Sequence, residues 1–457
     1  MSSIMSLFDS KSFETFCLSV LQQIAISENK EVKFESSLPK DLYNKRNHLL
    51  AIFDAIAEQG ISNIQGPTVF EIKYTKKSID FEDIISFSKK VEKAYPYGEV
   101  NIVFITNQHY SHENMQYDLD RRSTITVWDI SYIEEWISKY PIDFSNAINH
   151  SPTQNTTNTY IPKNISDEDF YSKSKSNAET LKRIIHLNES FALVLGAGIS
   201  VDPGAQPWNK LLDSFKVELT KMKLIIDSKK LGEKIGDSSL ITAQLCKELY
   251  KNEVDYYWAI HQGLYSNHMP FNSDFAIGHL AKIAQKCSPK MHFKVLTYNY
   301  DNYFEEYLDN LSIEYNSLYE QNSLTTDKLS IYHIHGFLPK VSYKSHIRDS
   351  YKKSIYLTEQ DYNSLYNSPY SWQISSQLSA FRENICLFVG CSLADPNIRR
   401  LLEITAKENK THYAILTKEK MTSIDLLRAA NHFNRLGVEI IWVDDFIDLR
   451  RQLKELY

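Results

Sequence analysis

Six short apolar segments, separated by stretches with helical spacing, constrain the fold of this chain more than any other feature. They are FALVLGA (191–197), FKVLTYN (293–299), SIYHIHG (330–336), ICLFVGC (385–391), HYAILT (412–417) and VEIIWVD (438–444). Continuous apolar strands that alternate with helices are typical of a parallel sheet with helices on both faces. This part of the chain is therefore predicted to be an α/β domain with a Rossmann-like parallel sheet.

A second, smaller α/β domain is predicted ahead of it. With 457 residues the chain is too long for one ordinary core. Apolar residues at helical spacing come first, followed by the strand PTVFEIKYT (67–75), a helix over 81–95 and the strand VNIVFITN (100–107). Residues 146–176 are rich in Asn, Ser and Thr, as linkers often are. The predicted organisation is a domain over 1–145, a linker over 146–176 and a domain over 177–457.

Composition and charge narrow the class of protein. No apolar run reaches the length of a membrane helix, and the start MSSIMSLFDSKSFETF lacks the pattern of a secretory signal. The five cysteines are scattered, which favours neither a disulfide framework nor a thiolate zinc site. A cytoplasmic protein without zinc is expected. Residues 1–150 hold 15 basic and 21 acidic side chains, which argues against electrostatic coating of nucleic acid.

A glycine turn follows the first apolar strand of the larger domain. Gly196, Ala197 and Gly198 come directly after the strand, and Ser200 closes the turn. Such a turn lets backbone N–H groups approach a pyrophosphate at the start of a helix. Gly-x-Gly turns also serve plain packing of a strand against a helix, so the turn by itself leaves both interpretations open.

Three other strands of this domain also end in residues suited to a binding site. Asn299 and Asp301 follow one strand, His335 and Gly336 the next, and GCSLADP (390–396) the third. Ligands of an open parallel sheet bind beyond the carboxyl ends of its strands. The sequence therefore predicts that these strand ends meet at one crevice. His335 as a core histidine and Asp395 as a helix N-cap are the structural alternatives, and His333 is predicted to be structural.

The order of these motifs, GAGIS, TYNYD, HIHG and GCSL, resembles that of the sirtuin family. The resemblance covers residues 191 to about 395 and implies a sirtuin-type sheet that binds NAD. It implies that the glycine turn cradles the NAD phosphates, through Gly196, Ala197, Gly198 and Ser200. Asn299 and Asp301 would line the nicotinamide pocket, and His335 would contact the ribose hydroxyls as a general base or an orienting group. Gly390 and Ser392 would hold the adenosine side.

Departures from the sirtuin pattern indicate which branch the chain resembles. The cysteine pairs of protein-deacylating sirtuins are missing between His335 and Cys386. The zinc module of a deacylase is therefore not expected. What remains is similar to the sirtuin-like domains of bacterial anti-phage proteins, and IYLTEQDYNSLY (355–366) fits that branch. This resemblance implies NAD+ hydrolysis to nicotinamide and ADP-ribose, homo-oligomers, and a possible partner ATPase or helicase of the HerA type.

The smaller domain carries a short, degenerate motif of a different kind. Asp54 precedes the strand that carries Glu71 and Lys73, and strand alternation puts Glu71 and Lys73 on one face. Two carboxylates beside a lysine are able to hold Mg²⁺ and orient water for phosphodiester hydrolysis. The region resembles Mrr-type restriction-endonuclease-like domains with a D…ExK centre. An alternative function is therefore a nuclease that acts on nucleic acid and whose sirtuin-like domain only binds NAD or ADP-ribose as a regulator. A scaffold without activity is the third possibility.

Overall fold

The computed structural model describes most of the chain. The described residues are 5–36, 52–75, 79, 81–95, 99–110, 117–119, 123–149, 165–187, 190–221, 239–288, 293–320, 328–366, 371–406 and 410–457. The chain divides into two compact units. Unit 1 comprises Met1–Ser176 and Met421–His432, and unit 2 comprises Asn177–Lys420 and Phe433–Tyr457. None of the helices in this described part is both long and apolar enough to cross a membrane.

Unit 1 contains a six-stranded mixed sheet in the order β1-β2-β3-β4-β6-β5. Its strands are β1 Lys33–Ser36, β2 Phe53–Ala57, β3 Thr68–Lys73, β4 Asn101–Thr106, β5 Tyr117–Leu119 and β6 Ser123–Trp128. Its first helices are α1 Ser10–Ser27, α2 Phe81–Ala94, α3 Ile130–Lys139 and α4 Pro141–Asn149. β1–β3 form an antiparallel meander, whereas β4 is parallel to both β3 and β6. A smaller α/β fold is thus present in this region.

The first helix shows how the apolar pattern builds the core of unit 1. Asp9 caps α1 by accepting a hydrogen bond from the Ser12 N–H at 2.7 Å, and the Ser12 hydroxyl accepts one from the Asp9 N–H in return. The apolar residues spaced by three and four are buried, namely Phe13, Phe16, Cys17, Val20, Leu21 and Ile24. They pack with residues of α3, α4 and the sheet, which confirms the helix that their spacing predicts.

The segment predicted as a linker is largely helical where the structure describes it. Residues 146–149 end α4, and α5 spans Asp167–His186, while 150–164 lie outside the described residues. The first turn of α5 holds Asp167, Glu168 and Asp169, whose charges favour the start of a helix. Residues 167–176 are thus the first half of a helix with one buried face, on which Phe170, Ser174 and Ser176 are buried while Asp167 and Glu168 are exposed. In addition, residues 421–432 group with unit 1, although the sequence places them in the second domain.

Unit 2 contains a seven-stranded sheet in the order β13-β12-β11-β7-β8-β10-β9, with every neighbouring pair parallel. Its strands are β7 Phe191–Leu195, β8 Lys294–Thr297, β9 Tyr315–Leu318, β10 Leu329–His333, β11 Ile385–Val389, β12 His412–Thr417 and β13 Val438–Val443. The predicted Rossmann-like α/β architecture is confirmed for this region. The central strands β7 and β11 are apolar throughout, as expected where helices cover both faces of a sheet, whereas the edge strand β9 contains Asn316 and Ser317.

The remaining helices follow in chain order after α5 and belong to unit 2, except for the one over 423–434, most of which groups with unit 1. They are α6 Trp208–Lys221, α7 Ser239–Leu249, α8 Glu253–Tyr265, α9 Ala276–Cys287, α10 Tyr303–Asn310, α11 Asp349–Ser354, α12 Glu359–Tyr366, α13 Trp372–Glu383, α14 Pro396–Thr405, α15 Ser423–Asn434 and α16 Phe446–Glu455. A short 3-10 helix, Ala197–Ser200, forms the glycine turn after β7.

The strand order of unit 2 reverses next to β7. From β7 the chain moves to β8 and later to β10 on one side, and then crosses to β11, β12 and β13 on the other. Such a reversal leaves a crevice beyond the carboxyl ends of the two central strands, and ligands of open α/β sheets bind there. The glycine turn after β7 lies at this switch point.

Candidate functional site in unit 2

The four strands whose ends carry the sequence motifs are consecutive in the sheet. They follow one another as β11-β7-β8-β10. Because all four are parallel, their carboxyl ends lie along one edge. The β8–β10 register pairs Thr297 with His333, and Asn299 and His335 each lie two residues beyond that pair. The fold thus brings the motifs together at the edge where a ligand is expected.

The glycine turn is held tightly against the end of β11. The Gly196 N–H donates to the Val389 carbonyl and the Gly198 N–H to the Gly390 carbonyl, both at 3.0 Å. A Cβ on Gly196 would lie 2.5 Å from the Gly390 oxygen, so the approach requires glycine. These two amides are therefore engaged within the fold, as the packing interpretation predicts. Ala197 is the exposed residue of the turn.

The Asn299 side chain is fixed at one end and unpaired at the other. Its Nδ2 donates to the Gly196 carbonyl at 3.1 Å and to the Ser200 Oγ at 3.0 Å. The residue is 6% exposed, and its Oδ1 is buried without a hydrogen-bond partner among the described residues. An unsatisfied buried acceptor costs free energy, so a donor from a ligand or a water would stabilise this site.

Ser200 accepts a hydrogen bond from Asn299, and Asp301 in turn holds the Ser200 hydroxyl. The Ser200 hydroxyl donates to the Asp301 Oδ1 at 3.1 Å, and the Tyr303 N–H donates to the same oxygen at 3.1 Å. Burial raises the pKa of Asp301 to about 6, although the hydrogen bonds from Tyr303 and Ser200 oppose the rise. The only hydroxyl hydrogen of Ser200 is thus used inside the protein. The sequence assigned Ser200 to a phosphate and Asp301 to a pocket wall, and their geometry gives both a supporting role.

A buried histidine–carboxylate pair lies under the loop after β8. His333 Nδ1 is 3.3 Å from the Asn299 carbonyl oxygen, and its Nε2 is 2.7 Å from Glu305 Oε1. Glu305 also accepts a hydrogen bond from the Ser317 hydroxyl at 2.9 Å. Because both ring nitrogens of His333 have partners, its side chain has the structural role that the sequence predicts. The pair ties the loop after β8 to β9 and α10.

His335 lies in a largely apolar setting and has one ring nitrogen without a partner. It is 5% exposed, and its Nδ1 is 3.1 Å from the Tyr362 hydroxyl. Its Nε2 is buried with no hydrogen-bond partner among the residues described. Burial lowers the pKa of His335 to about 4, and the nearby Asp395 carboxylate opposes this. The imidazole is therefore neutral at physiological pH. The neighbouring Asp395 caps α14, since its Oδ1 accepts from the Asn397 N–H at 2.8 Å, as its N-cap alternative predicts.

The loop after β11 combines a strained backbone with an exposed hydroxyl. Gly390 has φ +70°, and Leu393 has φ +53°, a conformation uncommon for a residue with a side chain. Ser392 is exposed, and its Oγ accepts from the Ala394 N–H at 3.3 Å. Of the residues predicted to bind NAD, Ala197 and Ser392 are the exposed ones at this edge.

Two residues of the site are absent from the motif-based prediction. Tyr362 lies on α12, 27 residues after His335 in the chain. Glu305 lies on α10, a turn beyond the TYNYD motif. A buried glutamate is unusual unless it is paired, but the sequence does not show which partner it has. Neither contact follows from spacing, because both depend on how helices pack on the sheet.

The candidate metal residues of unit 1 are neighbours, but they do not form a larger ligand cluster. The β2–β3 register places Asp54 opposite Glu71, and the Asp54 Oδ2 accepts from the Ile72 N–H at 2.7 Å. Burial and the Asp54 charge raise the pKa of Glu71 to about 6, while Lys90 and Lys73 oppose this. Within the described ranges no group of three or more His, Cys, Asp or Glu side chains is placed to hold a metal. The Mg²⁺ expectation therefore has no support from the structure.

The α/β domain with a Rossmann-like sheet in unit 2 was compared with known protein families. The family described as "SIR2-like domain" matches residues 294–441. This range runs from β8 into β13 and contains Asn299, Asp301, His335, Gly390 and Ser392. Residues 294–441 are thus similar to a SIR2-like domain, and unit 2 contains a Rossmann-like sheet.

One protein with a similar sequence is the NAD(+) hydrolase ThsA of Enterococcus faecium. The chain is 24% identical to it over 293 residues, which are 58% of this chain and 54% of ThsA. The chain thus spans about half the length of this curated relative. A solved structure described as "Structural Basis for the Mechanism and Regulation of Sir2 Enzymes" covers 62% of this chain and 96% of its own, at 13% identity and a TM-score of 0.33. The fold class rests on the sheet of unit 2 and not on that comparison.

Proposed function

We propose that this protein hydrolyses NAD+ to nicotinamide and ADP-ribose at the strand ends of unit 2. One observation carries the proposal. Two buried polar atoms, Asn299 Oδ1 and His335 Nε2, have no hydrogen-bond partner within the described part of the chain and lie just beyond the ends of adjacent strands. A bound substrate with donors and acceptors would satisfy both. The similarity to ThsA, which is described as an NAD(+) hydrolase, supports the choice of substrate.

The reaction breaks the bond between the ribose C1′ and the nicotinamide nitrogen. Positive charge moves from the pyridinium ring to the ribose, and nicotinamide leaves as a neutral molecule. Water then adds to C1′ and loses a proton. The protein therefore has to orient the carboxamide, stabilise the cationic ribose and admit a water molecule.

A separate task is proposed for each residue. The two hydrogen bonds of Nδ2 fix the Asn299 side chain, so its Oδ1 is a preorganised acceptor for the carboxamide N–H or the attacking water. Ser200 and Asp301 hold Asn299 in place. His335 contacts the ribose hydroxyls. Ala197 and Ser392 provide the exposed contacts for the phosphates and the adenosine side. Gly196, Gly198 and Gly390 allow the glycine turn to pack closely against the end of β11.

The test is direct measurement of the products. The protein is incubated with NAD+, and nicotinamide and ADP-ribose are separated by chromatography. In ¹⁸O-labelled water, ADP-ribose should carry the label. An acetyl-lysine peptide should not increase nicotinamide release. Formation of O-acetyl-ADP-ribose from that peptide would instead indicate a deacylase. Absence of any turnover by the protein, both alone and with its physiological activator, would contradict the proposal.

The biological role is proposed on the same basis. We infer an effector of a bacterial anti-phage system that works by depleting NAD+ in the cytoplasm. Depletion of NAD+ harms the cell, so activity should be restrained until a trigger is present. A homo-oligomer and a partner ATPase or helicase of the HerA type are part of this proposal. Size measurement of the purified protein, with and without such a partner, tests both.

For unit 1 we propose a restriction-endonuclease-like fold of the Mrr type. The supporting observation is the order of its elements. Helix α1 comes first, followed by the antiparallel strands β1–β3, helix α2 and the parallel strand β4. Asp54 and Glu71 are cross-strand neighbours, and Lys73 shares the Glu71 face. This arrangement makes the alternative function, a nuclease in unit 1, testable. In that alternative the sirtuin-like region is a regulator that binds NAD or ADP-ribose.

Glu71→Gln is expected to stabilise the protein near neutral pH and to leave its stability unchanged at about pH 4. In the folded state the pKa of Glu71 is about 6, above its ordinary value of 4.5. Ionising this group therefore costs folding free energy as the pH rises from 4.5 to above 6. The shift corresponds to about 2 kcal/mol, which solvent screening of the partly exposed carboxylate reduces. Thermal unfolding at both pH values measures the effect.

The control is Glu134→Gln, because Glu134 is an exposed carboxylate on α3 of the same unit. It should change stability little at either pH. Repeating the experiment with Mg²⁺ tests the nuclease alternative. A metal held by Asp54 and Glu71 would stabilise the wild type and not Glu71→Gln. Mg²⁺ stabilisation accompanied by DNA cleavage would support a nuclease, and its absence would leave unit 1 a scaffold.

A further inference from the structure

The segment around residues 354–362 is locked against the end of β10. The Tyr356 N–H donates to the His335 carbonyl at 2.8 Å. Gly336 has φ +108°, and a Cβ there would lie 2.2 Å from the Ser354 carbonyl oxygen. The two backbones therefore approach as closely as glycine allows. The segment that begins at Ser354 has a fixed position relative to His335.

Hydrogen bonds at the start of α12 fix the position of Tyr362 in the same way. Asp361 Oδ2 accepts from the N–H groups of Leu357 at 3.2 Å and Thr358 at 3.0 Å. The Thr358 Oγ1 accepts from the Asp361 N–H at 3.2 Å in return. Lys247 of α7 adds an ion pair to Asp361 at 3.3 Å. This reciprocal cap holds the first turn of the helix, and Tyr362 is the next residue.

Two tyrosines enclose the His335 ring. The Tyr362 ring lies edge-on at 5.0 Å between centroids, with its hydroxyl 3.1 Å from Nδ1. The Tyr298 ring lies at 5.0 Å with an interplanar angle of 57°, and its own hydroxyl donates to Gln377. The charged group near His335 is Asp395. Of the two ring nitrogens, Nδ1 is engaged by Tyr362.

We propose that Tyr362 is a positioning residue, whose hydroxyl donates to His335 Nδ1 and thereby keeps the ring proton on Nε2, towards the substrate. The inference rests on the proposed NAD+ hydrolysis. A neutral imidazole has one donor and one acceptor nitrogen, and a tyrosine hydroxyl is able to serve either. A phenol O–H is the more acidic donor, and an imidazole lone pair is the more basic acceptor. The pairing O–H···Nδ1 is therefore favoured.

This tautomer decides between the two roles that the sequence left open for His335. With its proton on Nε2, His335 donates a hydrogen bond to a ribose hydroxyl oxygen and has no free lone pair for accepting a proton there. It acts as an orienting donor and not as a general base. The proton released by the attacking water then has to leave by another route, such as the solvent of the crevice.

Nitrogen NMR of the protein tests the tautomer without any substrate. The protein is labelled with ¹⁵N-histidine, and His335→Gln identifies the His335 signals. In the wild type, Nε2 should show the shift of a protonated ring nitrogen and Nδ1 that of an unprotonated acceptor. Tyr362→Phe should mix the two tautomers. A proton on Nδ1 in the wild type would overturn the proposal. Because no turnover is needed, this result is independent of whether NAD+ is the substrate.

Kinetics test the consequence for the reaction. Tyr362→Phe should lower kcat about tenfold with little change in KM, the upper range for one lost hydrogen bond. The matched control is Tyr356→Phe, since the Tyr356 hydroxyl accepts from Gln373 at 3.2 Å and the bond of this residue to His335 is made by its backbone N–H, which phenylalanine keeps. It should retain wild-type turnover. A Tyr362→Phe protein as active as the wild type would refute the positioning role, whereas a wild type without turnover would count against the proposed function instead.

Discussion

Asn299→Ala is expected to lower the rate of NAD+ hydrolysis by at least about 100-fold, the loss typical of removing a preorganised polar group from an active site. The side chain is held by the Gly196 carbonyl and the Ser200 hydroxyl, so its Oδ1 is fixed before the substrate binds. Alanine removes the acceptor and leaves these partners in place. Release of nicotinamide under conditions where the wild type is active measures the effect.

A loss of activity is informative only if the variant folds. Removing the amide leaves the buried Gly196 carbonyl with one hydrogen bond fewer, which costs about 1–3 kcal/mol. The matched control is Asn384→Ala. Asn384 is also a fully buried amide, and its Nδ2 donates to the Phe191 carbonyl at 3.4 Å. It directly precedes β11 and thus lies at the amino edge of the sheet, away from the crevice.

The two asparagine variants should lose similar stability but differ in turnover. Asn384→Ala is expected to retain activity at temperatures where it is folded, and Asn299→Ala is not. Thermal unfolding of both proteins establishes the comparison. Full activity of Asn299→Ala would contradict the assigned role, and an equal loss in both variants would attribute the effect to folding.

The sheet of unit 2 was predictable because its signal is local. The six predicted strands are short apolar segments, and each motif follows directly after its strand, so alternation with helices is enough to specify a parallel sheet. The polar edge strand β9 is not among the predicted strands. The meeting of the four strand ends follows from parallel topology. Their consecutive order, β11-β7-β8-β10, did not follow from the sequence, because strand order depends on crossovers.

The roles of single side chains within the motif were less predictable. Ser200 has the residue type of a phosphate ligand, yet its hydroxyl donates to Asp301. The direction of a hydroxyl depends on which acceptor lies nearest, and that acceptor is about 100 residues away in sequence. The hydrogen bond between Tyr362 and His335 likewise joins residues that are distant in the sequence. In the predicted linker, the polar composition did not indicate the start of α5, because small polar residues such as Ser174 and Ser176 occupy buried positions on that helix.

Gly390→Ala is expected to destabilise the protein by about 2–5 kcal/mol, combining the cost of a left-handed backbone for alanine with that of a steric clash. Gly390 has φ +70°, and a Cβ there would lie 2.7 Å from the Ile199 nitrogen and 2.8 Å from the Gly196 oxygen. Both contacts are with backbone atoms, so the glycine turn itself would have to move. Because Asn299 is anchored on that Gly196 oxygen, NAD+ hydrolysis should fall as well.

The control variant Gly437→Ala separates the cost of the left-handed backbone from the cost of the steric clash. Gly437 has nearly the same backbone conformation, with φ +73°, but its nearest backbone atom would be an ordinary 3.4 Å from the new Cβ. It should lose only the conformational part, about 1–2 kcal/mol, and should keep its activity. Thermal unfolding and NAD+ turnover of both variants give the comparison. Equal losses of stability in Gly390→Ala and Gly437→Ala would contradict the close contact between the β11 loop and the glycine turn. The position of the Gly196 carbonyl that holds Asn299 would then also be in question.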